Sequence, residues 1–153
     1  MRQRIVVFTG AGISKESGLS TFRDNDGVWS KYNPDTVATP QGFETNTEES
    51  LQFYNERRAA LAKALPNHAH FVLANLSKKH DVTIITQNVD DLHERVGSKN
   101  VIPANQLVKY VHPDVSRFII DPNDVDVPAG FIHIKETATK GIDVFMSEIE
   151  KLL

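Results

Sequence analysis

Cysteine is absent from the 153-residue sequence. Without it the chain can form no disulfide, no catalytic thiolate and no zinc site built on cysteine ligands. The same absence fits a reducing compartment, so we expect a cytoplasmic protein. With 40% apolar residues the chain can bury one core, but it is too short for two full domains. We therefore expect a single domain over residues 1–153.

An excess of charge of one sign is also missing. The 17 basic and 20 acidic residues leave a net charge of −3, without long runs of either sign. Such a surface offers no electrostatic footprint for nucleic acid or for an anionic membrane, so we expect neither as a partner. The apolar run near the amino terminus is too short for a signal peptide, and no later run is long enough to span a bilayer.

Apolar runs and helical periodicities alternate along the chain. The β-branched and aromatic residues of 4–8 predict a buried strand that feeds a glycine turn, with a helix to follow. Further strands are predicted at 81–86, 115–120 and 131–134, and helices at 47–65, 68–79 and 142–153. The alternation predicts an α/β fold whose parallel sheet carries helices on both faces.

Residues 18–46, which we call the lid segment, carry glycine and proline at short intervals among polar residues. This punctuation is incompatible with a long regular element and predicts a long functional loop or a mobile lid. Thr47 is the predicted cap of the next helix, with acidic residues in its first turn. The side chains at helical spacing, which we expect to form its packed face, are Leu51, Tyr54, Arg58, Leu61 and Leu65.

Two motifs follow the first two predicted strands. The first strand runs into "TGAGIS", where glycines at positions 10 and 12 would let the backbone approach a phosphate beyond the strand end. Gly-Ala-Gly alone fits an ordinary tight turn equally well. Its continuation, "GISKESGLSTFRDNDGVWSKYNP", resembles the cofactor-binding loop of the sirtuin family. The second strand runs into "TQNVDDLHERVGS", which resembles the nicotinamide-binding signature of the same family.

Sirtuins are NAD-dependent protein-lysine deacylases, which transfer the acyl group to ADP-ribose and release nicotinamide. The resemblance therefore implies a Rossmann-like fold, NAD as the cofactor and an acylated lysine protein or peptide as the substrate. It also implies that the pyrophosphate lies against the glycine turn and near a cation, that a phenylalanine shields the reacting sugar, and that the nicotinamide binds to the second motif. The implied cofactor-binding residues are Gly10, Ala11, Gly12, Ile13, Phe22, Arg23, Gln87, Asn88 and Asp90. Asn88 and Asp90 are also the implied catalytic residues.

Three further features of the sequence suggest roles. Trp29 and Tyr32 would anchor the lid segment as it closes, or would simply pack it onto the core. Asp121 and Asn123, in "FIIDPNDVDVP", would lie near the adenosine ribose and the "KETATKG" stretch near the adenine, although Asp-Pro-Asn is also an ordinary turn. The His-x-His pair in "PNHAH" resembles a family segment whose second histidine is structural, so we expect no metal site there.

The stretch "FYNERR" places Tyr54 and Arg57 three residues apart, on one face of the predicted helix. It resembles the Tyr-x-x-Arg pattern of the bacterial-type sirtuin subgroup that removes succinyl and malonyl as well as acetyl groups. A phenol and a guanidinium at the end of an acyl tunnel would bind a carboxylate. The alternative is a core tyrosine beside a surface arginine.

One family segment is missing. In sirtuins "NVI" leads into a His-Gly pair whose histidine is the general base, whereas here it runs directly into Pro103-Ala104-Asn105, which resembles a much later family segment. The resemblance thus implies a large internal block absent near 101–103, and with it the catalytic histidine, one strand and the small zinc-binding module. Zinc is expected in the family, but this chain has no ligands for it.

Three interpretations follow from that gap. The sequence omits a segment of a complete deacylase, or the chain is a catalytically impaired remnant that binds NAD or ADP-ribose, or it is an interaction scaffold without a ligand. With a strand missing, the remaining sheet must either close over the gap or leave apolar surface exposed, and such a surface favours association with a partner.

Overall fold

Two parallel sheets organise the computed structural model, which describes residues 2–22, 27–103 and 115–152. The first sheet has the order β1-β2-β3, and the second consists of β4 and β5. The strands are β1 Arg4–Thr9, β2 Asp81–Thr86, β3 Val101–Pro103, β4 Arg117–Ile120 and β5 Phe131–Ile134. The predictions for β2 and β5 are confirmed in full and those for β1 and β4 within two residues. The three-residue strand β3 was not predicted.

Eight helices are described. They are α1 Ala11–Lys15, α2 Val28–Lys31, α3 Pro34–Val37, α4 Pro40–Thr45, α5 Thr47–Lys63, α6 His68–Lys79, α7 Leu92–Arg95 and α8 Ala138–Leu152. None of them is both long and apolar enough to cross a membrane. The lid segment contains three short helices, α2 to α4, as expected for a stretch that glycine and proline keep from forming one long element.

The main core lies on one face of the first sheet. Val82 and Ile84 of β2 alternate with half-buried residues, as a strand with one packed face must. They pack against Leu73 and Leu76 of α6 and Ile142 of α8, all less than 5% exposed. Each fully buried leucine or isoleucine stabilises the fold by about 1.5–3 kcal/mol.

Helix α8 joins the second sheet to this core. A Cβ atom on Gly141 would overlap the Ile120 side chain, so glycine allows α8 to approach β4 closely. The Glu16 carboxylate accepts hydrogen bonds from the Thr139 backbone amide at 3.0 Å and from its hydroxyl at 2.6 Å. Partial burial opposes ionisation of Glu16, but these bonds, with one from Thr137, outweigh it and lower the pKa of Glu16.

The opposite face of the first sheet exposes apolar side chains. Val6 in β1 is 65% exposed and Ile102 in β3 is 44% exposed. The register pairs Phe8 with Ile85 and Ile85 with Ile102, so these residues share one face with Val6. Among the described residues no strand pairs with the free edge of β1. The first sheet therefore presents an apolar face to solvent among the described residues.

The packed face of α5 differs from the prediction. Ser50 and Phe53 are buried, whereas Leu51, Tyr54 and Leu65 are 46%, 40% and 74% exposed. The reason is tertiary, because Phe53 packs with aromatic and aliphatic side chains of the lid segment: Tyr32, Val37, Val28 and Trp29. The cap of α5 is Asn46 rather than Thr47, whose hydroxyl instead donates to the Phe43 carbonyl at 2.7 Å.

Candidate functional site

The two strand ends meet at one edge of the sheet. Strands β1 and β2 are parallel, Thr9 pairs with Thr86, and the Gln87 amide donates to the Thr9 carbonyl at 2.9 Å. The glycine turn and the segment after β2 therefore emerge side by side, beyond the carboxyl ends of the strands, where doubly wound sheets bind their ligands.

A cavity of about 660 Å³ lies between this edge, the lid segment and α5. Its walls include Ala11 from the glycine turn, Phe22 from the lid segment, Arg57 from α5, and Gln87, Asn88 and Asp90 from the second motif. Its volume is that of a small-molecule or cofactor site. The motifs predicted to converge on one ligand thus converge on one open cavity.

Neither packing within the protein nor the backbone conformation of Gly10 explains the glycines at positions 10 and 12. Gly10 has an extended backbone, with φ −134° and ψ −170°, which any residue adopts. A Cβ atom on Gly10 would meet only the Gln87 side-chain oxygen, at 3.8 Å, and one on Gly12 would meet nothing within 4 Å. Glycine inside a helix such as α1 costs about 1 kcal/mol relative to alanine. Open space in front of both residues is what close approach of a bound phosphate to the backbone requires.

Asp90 is held by a network of three side chains. The Ser14 hydroxyl donates to Asp90 Oδ2 at 2.9 Å, and the Asn88 side-chain amide donates to the Ser14 oxygen at 3.1 Å. The other Asp90 oxygen accepts from the Leu92 amide at 3.3 Å. Ser14 is only 2% exposed. The network fixes a carboxylate and a carboxamide at the cavity wall, where they can bind a polar amide.

Sequence reasoning missed Ser14 as a functional residue. The signal was present, since Ser14 is the serine of the quoted "TGAGIS" motif and lies one helical turn after Gly10. Its partners, however, are more than 70 positions away in the chain, and only the pairing of β1 with β2 brings them within hydrogen-bonding distance.

Arg57 lies in the cavity wall, half-buried, with its guanidinium 4.7 Å from the centre of the Phe22 ring. Burial lowers the pKa of Arg57, against the opposing effect of the nearby Asp90 carboxylate. Tyr54, the other member of the predicted pair, does not line the cavity, and its ring packs edge-on against Phe53 at 4.9 Å. The structure therefore brings one member of the pair to the cavity and leaves the other beside it.

The lid segment is attached to α5 by packing and by charge. Trp29 stacks on Phe53 with ring centres 6.0 Å apart, and Tyr32 meets Phe53 edge-on at 5.1 Å. Lys31 forms an ion pair of 2.7 Å with Glu56, and its hydrogen bond to that carboxylate lowers the pKa of Glu56 to about 2. The two interpretations of Trp29 and Tyr32 thus coincide, because the contacts that pack these residues also anchor the lid segment.

Two buried histidines lie behind the cavity. The rings of His70 and His93 are 4.9 Å apart, and His93 Nε2 is hydrogen-bonded to the Thr9 hydroxyl at 3.0 Å. Burial, and then the neighbouring His93, lowers the pKa of His70 to about 4, and burial also lowers the pKa of His93. His70 forms a capping box with Asn67, which is the structural role that we expected. No group of three or more potential metal ligands occurs within residues 2–22, 27–103 and 115–152.

Several predicted site residues do not line this cavity, and Gly10 and Gly12 are among them. The Asn123 backbone amide donates to the Asp121 carboxylate at 2.9 Å, so the two residues form a local turn. Neither of them lines the cavity. Ile13 packs against the main core, and its carbonyl accepts a hydrogen bond from Asn67 at 2.7 Å. Arg23 lies outside the described residues.

Comparison with known proteins identifies similar sequences. The model of the Sir2 family matches residues 10–118. The NAD-dependent protein deacylase of Pasteurella multocida is 57% identical over 103 residues, covering 65% of this chain and 44% of its own length. That of Bacteroides thetaiotaomicron is 51% identical over 100 residues, with coverages of 65% and 43%. The chain spans less than half the length of these curated relatives.

Similar solved structures agree with the sequence comparison. The complex of a mutant Sir2 homologue with ADP-ribose is 43% identical, with a TM-score of 0.60, and covers 65% of this chain and 40% of that one. A triple mutant of a Sir2 homologue, in complex with 2'-O-acetyl ADP-ribose, has a TM-score of 0.78 at 23% identity over 98% of this chain and 93% of that one. These likenesses confirm the predicted Rossmann-like α/β fold.

Proposed function

The chain belongs to the Sir2 family, and on that premise we propose that its cavity binds NAD and an acylated lysine, as the site of an NAD-dependent protein-lysine deacylase. The observation that carries the proposal is the convergence of the glycine turn and the Gln87 to Asp90 segment on one open cavity. This placement would bring the dinucleotide and the acyl group together at the strand ends.

The residues present fit this cofactor. The open space in front of Gly10 and Gly12 would let a pyrophosphate approach the backbone. Asn88 and Asp90 can bind the carboxamide of nicotinamide, and Ser14 fixes the orientation of the Asp90 carboxylate. When bound, NAD supplies the bond between nicotinamide and ribose that is broken as the acyl group passes to ADP-ribose. Phe22, in the cavity wall, would keep water from the reacting sugar.

We also propose that the preferred acyl groups are acidic, such as succinyl. Arg57 supports this preference because its guanidinium lies in the wall of the same cavity as Asp90 and can form paired hydrogen bonds with a carboxylate. An acetyl group has no such carboxylate. The affinity for a succinyl-lysine peptide should therefore depend on Arg57, and that for an acetyl-lysine peptide should not.

Calorimetry with NAD tests the binding proposal, and release of nicotinamide from NAD in the presence of acyl-lysine peptides tests turnover. Arg57→Met should weaken binding of succinyl-lysine peptide by at least about tenfold, the effect of losing a hydrogen bond to a charged group. Lys63→Met, which changes an exposed cation of the same helix that does not line the cavity, is the matched control. Equal losses on succinyl and acetyl peptides would reject the acyl role of Arg57, and absence of NAD binding would reject the cofactor role of the cavity.

A second function is favoured by one observation. None of the described residues that line the cavity is a histidine, so within them no imidazole is placed to act as the general base. The second candidate function is therefore binding of NAD or ADP-ribose without turnover. The internal block predicted to be missing near 101–103 would explain the lack of a general base. The free edge of β1 supports this prediction.

A further inference from the structure

The Arg57 guanidinium lies near two aromatic rings. Its guanidinium carbon lies 4.7 Å from the centre of the Phe22 ring and 5.9 Å from the centre of the Phe53 ring. Both distances are within the range in which a cation is attracted to the face of an aromatic ring. The two rings therefore restrict the long arginine side chain, which otherwise has many accessible rotamers.

The two rings belong to different parts of the protein. Phe53 is in α5, like Arg57 itself, so its contact with Arg57 is local to that helix. Phe22 is in the lid segment, and its ring lies 5.1 Å from that of Trp29, which in turn stacks on Phe53. The Trp29 amide also donates to the Phe22 carbonyl at 3.0 Å. The position of the Phe22 ring is thus set by the packing of the lid segment on α5.

We propose that Phe22 is a positioning residue for Arg57, through which the lid segment controls the selection of acidic acyl groups. The inference rests on the proposed acyl role of Arg57 and adds that this role requires the Phe22 ring. With the ring in place, the guanidinium faces the cavity in one orientation. Without it, the side chain must be ordered when the carboxylate binds, and affinity falls.

The first experiment measures selectivity. Binding of a succinyl-lysine and an acetyl-lysine peptide of the same sequence is compared without NAD, so that a contribution of Phe22 to cofactor binding does not enter. Phe22→Leu, which removes the aromatic face but keeps apolar volume, should lower the ratio of succinyl to acetyl affinity about fivefold, since one cation–π contact is worth about 1 kcal/mol. Phe22→Tyr keeps the face and should keep the ratio.

The second experiment tests the contact without any acyl ligand. Trp29 is the single tryptophan, so its fluorescence reports on the lid segment alone. Arg57→Met keeps an unbranched apolar side chain but removes the cation, and it should make Trp29 more accessible to quenching by acrylamide. Lys63→Met, at an exposed position of the same helix outside the cavity wall, should leave quenching unchanged.

The outcomes separate the inference from the function on which it rests. If the wild-type chain binds neither peptide, or binds both equally, the acyl role of Arg57 is wrong and the inference falls with it. If the wild-type chain prefers the succinyl peptide but Phe22→Leu weakens both peptides by the same factor, the inference alone is overturned. Unchanged Trp29 quenching in Arg57→Met also overturns the inference alone.

Discussion

The two parallel sheets both end in polar strand termini, yet among the described residues only those of the first sheet border the candidate cavity. Beyond β1 and β2, Asn88 and Asp90 face a cavity because the lid segment and α5 stand opposite them. Beyond β4, the Asp121 carboxylate accepts hydrogen bonds from the backbone and side chain of Asn123, and the Asp121 carbonyl accepts one from His133 Nε2. A polar strand end therefore becomes a binding site only where other elements enclose it, and that enclosure is absent from the pattern of the strand.

The largest expected difference between the sheets is in pH dependence. In α6, which packs on the first sheet, burial and the neighbouring His93 lower the pKa of His70 to about 4, below its ordinary value of 6.5. The unfolded chain therefore binds more protons than the folded one. The stabilisation is complete above pH 6.5 and is lost as the pH falls from about 6.5 to about 4. Denaturant unfolding should show a loss of about 3 kcal/mol over that window from His70.

His70→Gln should remove this part of the pH dependence, since glutamine cannot titrate but can serve the same position in a capping box. His133→Gln, in β5 of the second sheet, is the matched histidine variant. The distinction between the sheets would be lost if the two variants unfolded with the same pH profile.

The next largest effect concerns the two aspartates. Asp90→Asn keeps the shape of the side chain but removes its charge, and it should weaken NAD binding by about 10-fold to 100-fold, the worth of a hydrogen bond to a charged group. Asp121→Asn should change the affinity less than about twofold, because Asp121 does not line the cavity. Calorimetry with NAD measures the affinity of both variants. A comparable loss in Asp121→Asn would support the predicted contact of Asp121 with the ribose.

The smallest effect compares two glycines. Gly12→Ala should stabilise the ligand-free chain by about 0.5–1 kcal/mol, because alanine favours the helix and the new methyl group meets no atom within 4 Å. The same change should weaken NAD binding, since the methyl group occupies the space assigned to the pyrophosphate. Gly141→Ala should instead destabilise the chain by about 1–3 kcal/mol through overlap with Ile120. Thermal unfolding with and without NAD gives both quantities.

Elements with strong local signals were predicted well. Helix α6 and strand β2 have the predicted bounds, because Asn67 caps the one and a short β-branched run forms the other. The packed face of α5 was not predictable in the same way. Its leucines recur at helical spacing but remain exposed or half-buried, and the single residue Phe53 determines the packed face because the lid segment supplies aromatic partners for it.

The site was predicted as a set of residues but not as an arrangement. The motifs identified Asn88, Asp90 and Arg57, whereas the hydrogen bond from Ser14 to Asp90 was not predicted. Such contacts join residues far apart in the sequence, and propensities and spacings describe only neighbours.

By itself the sequence determined four of the five described strands, the three long helices, the positions of the glycines and the chemistry that each motif can offer. These features depend on backbone preferences and side-chain types that act within a few residues. Only the tertiary structure decided that Thr9 pairs with Thr86, that the lid segment packs on Phe53, and that Arg57 lies against Phe22. The physical reason is that these contacts depend on burying apolar surface between distant segments, and the free energy of that burial is a property of the whole fold.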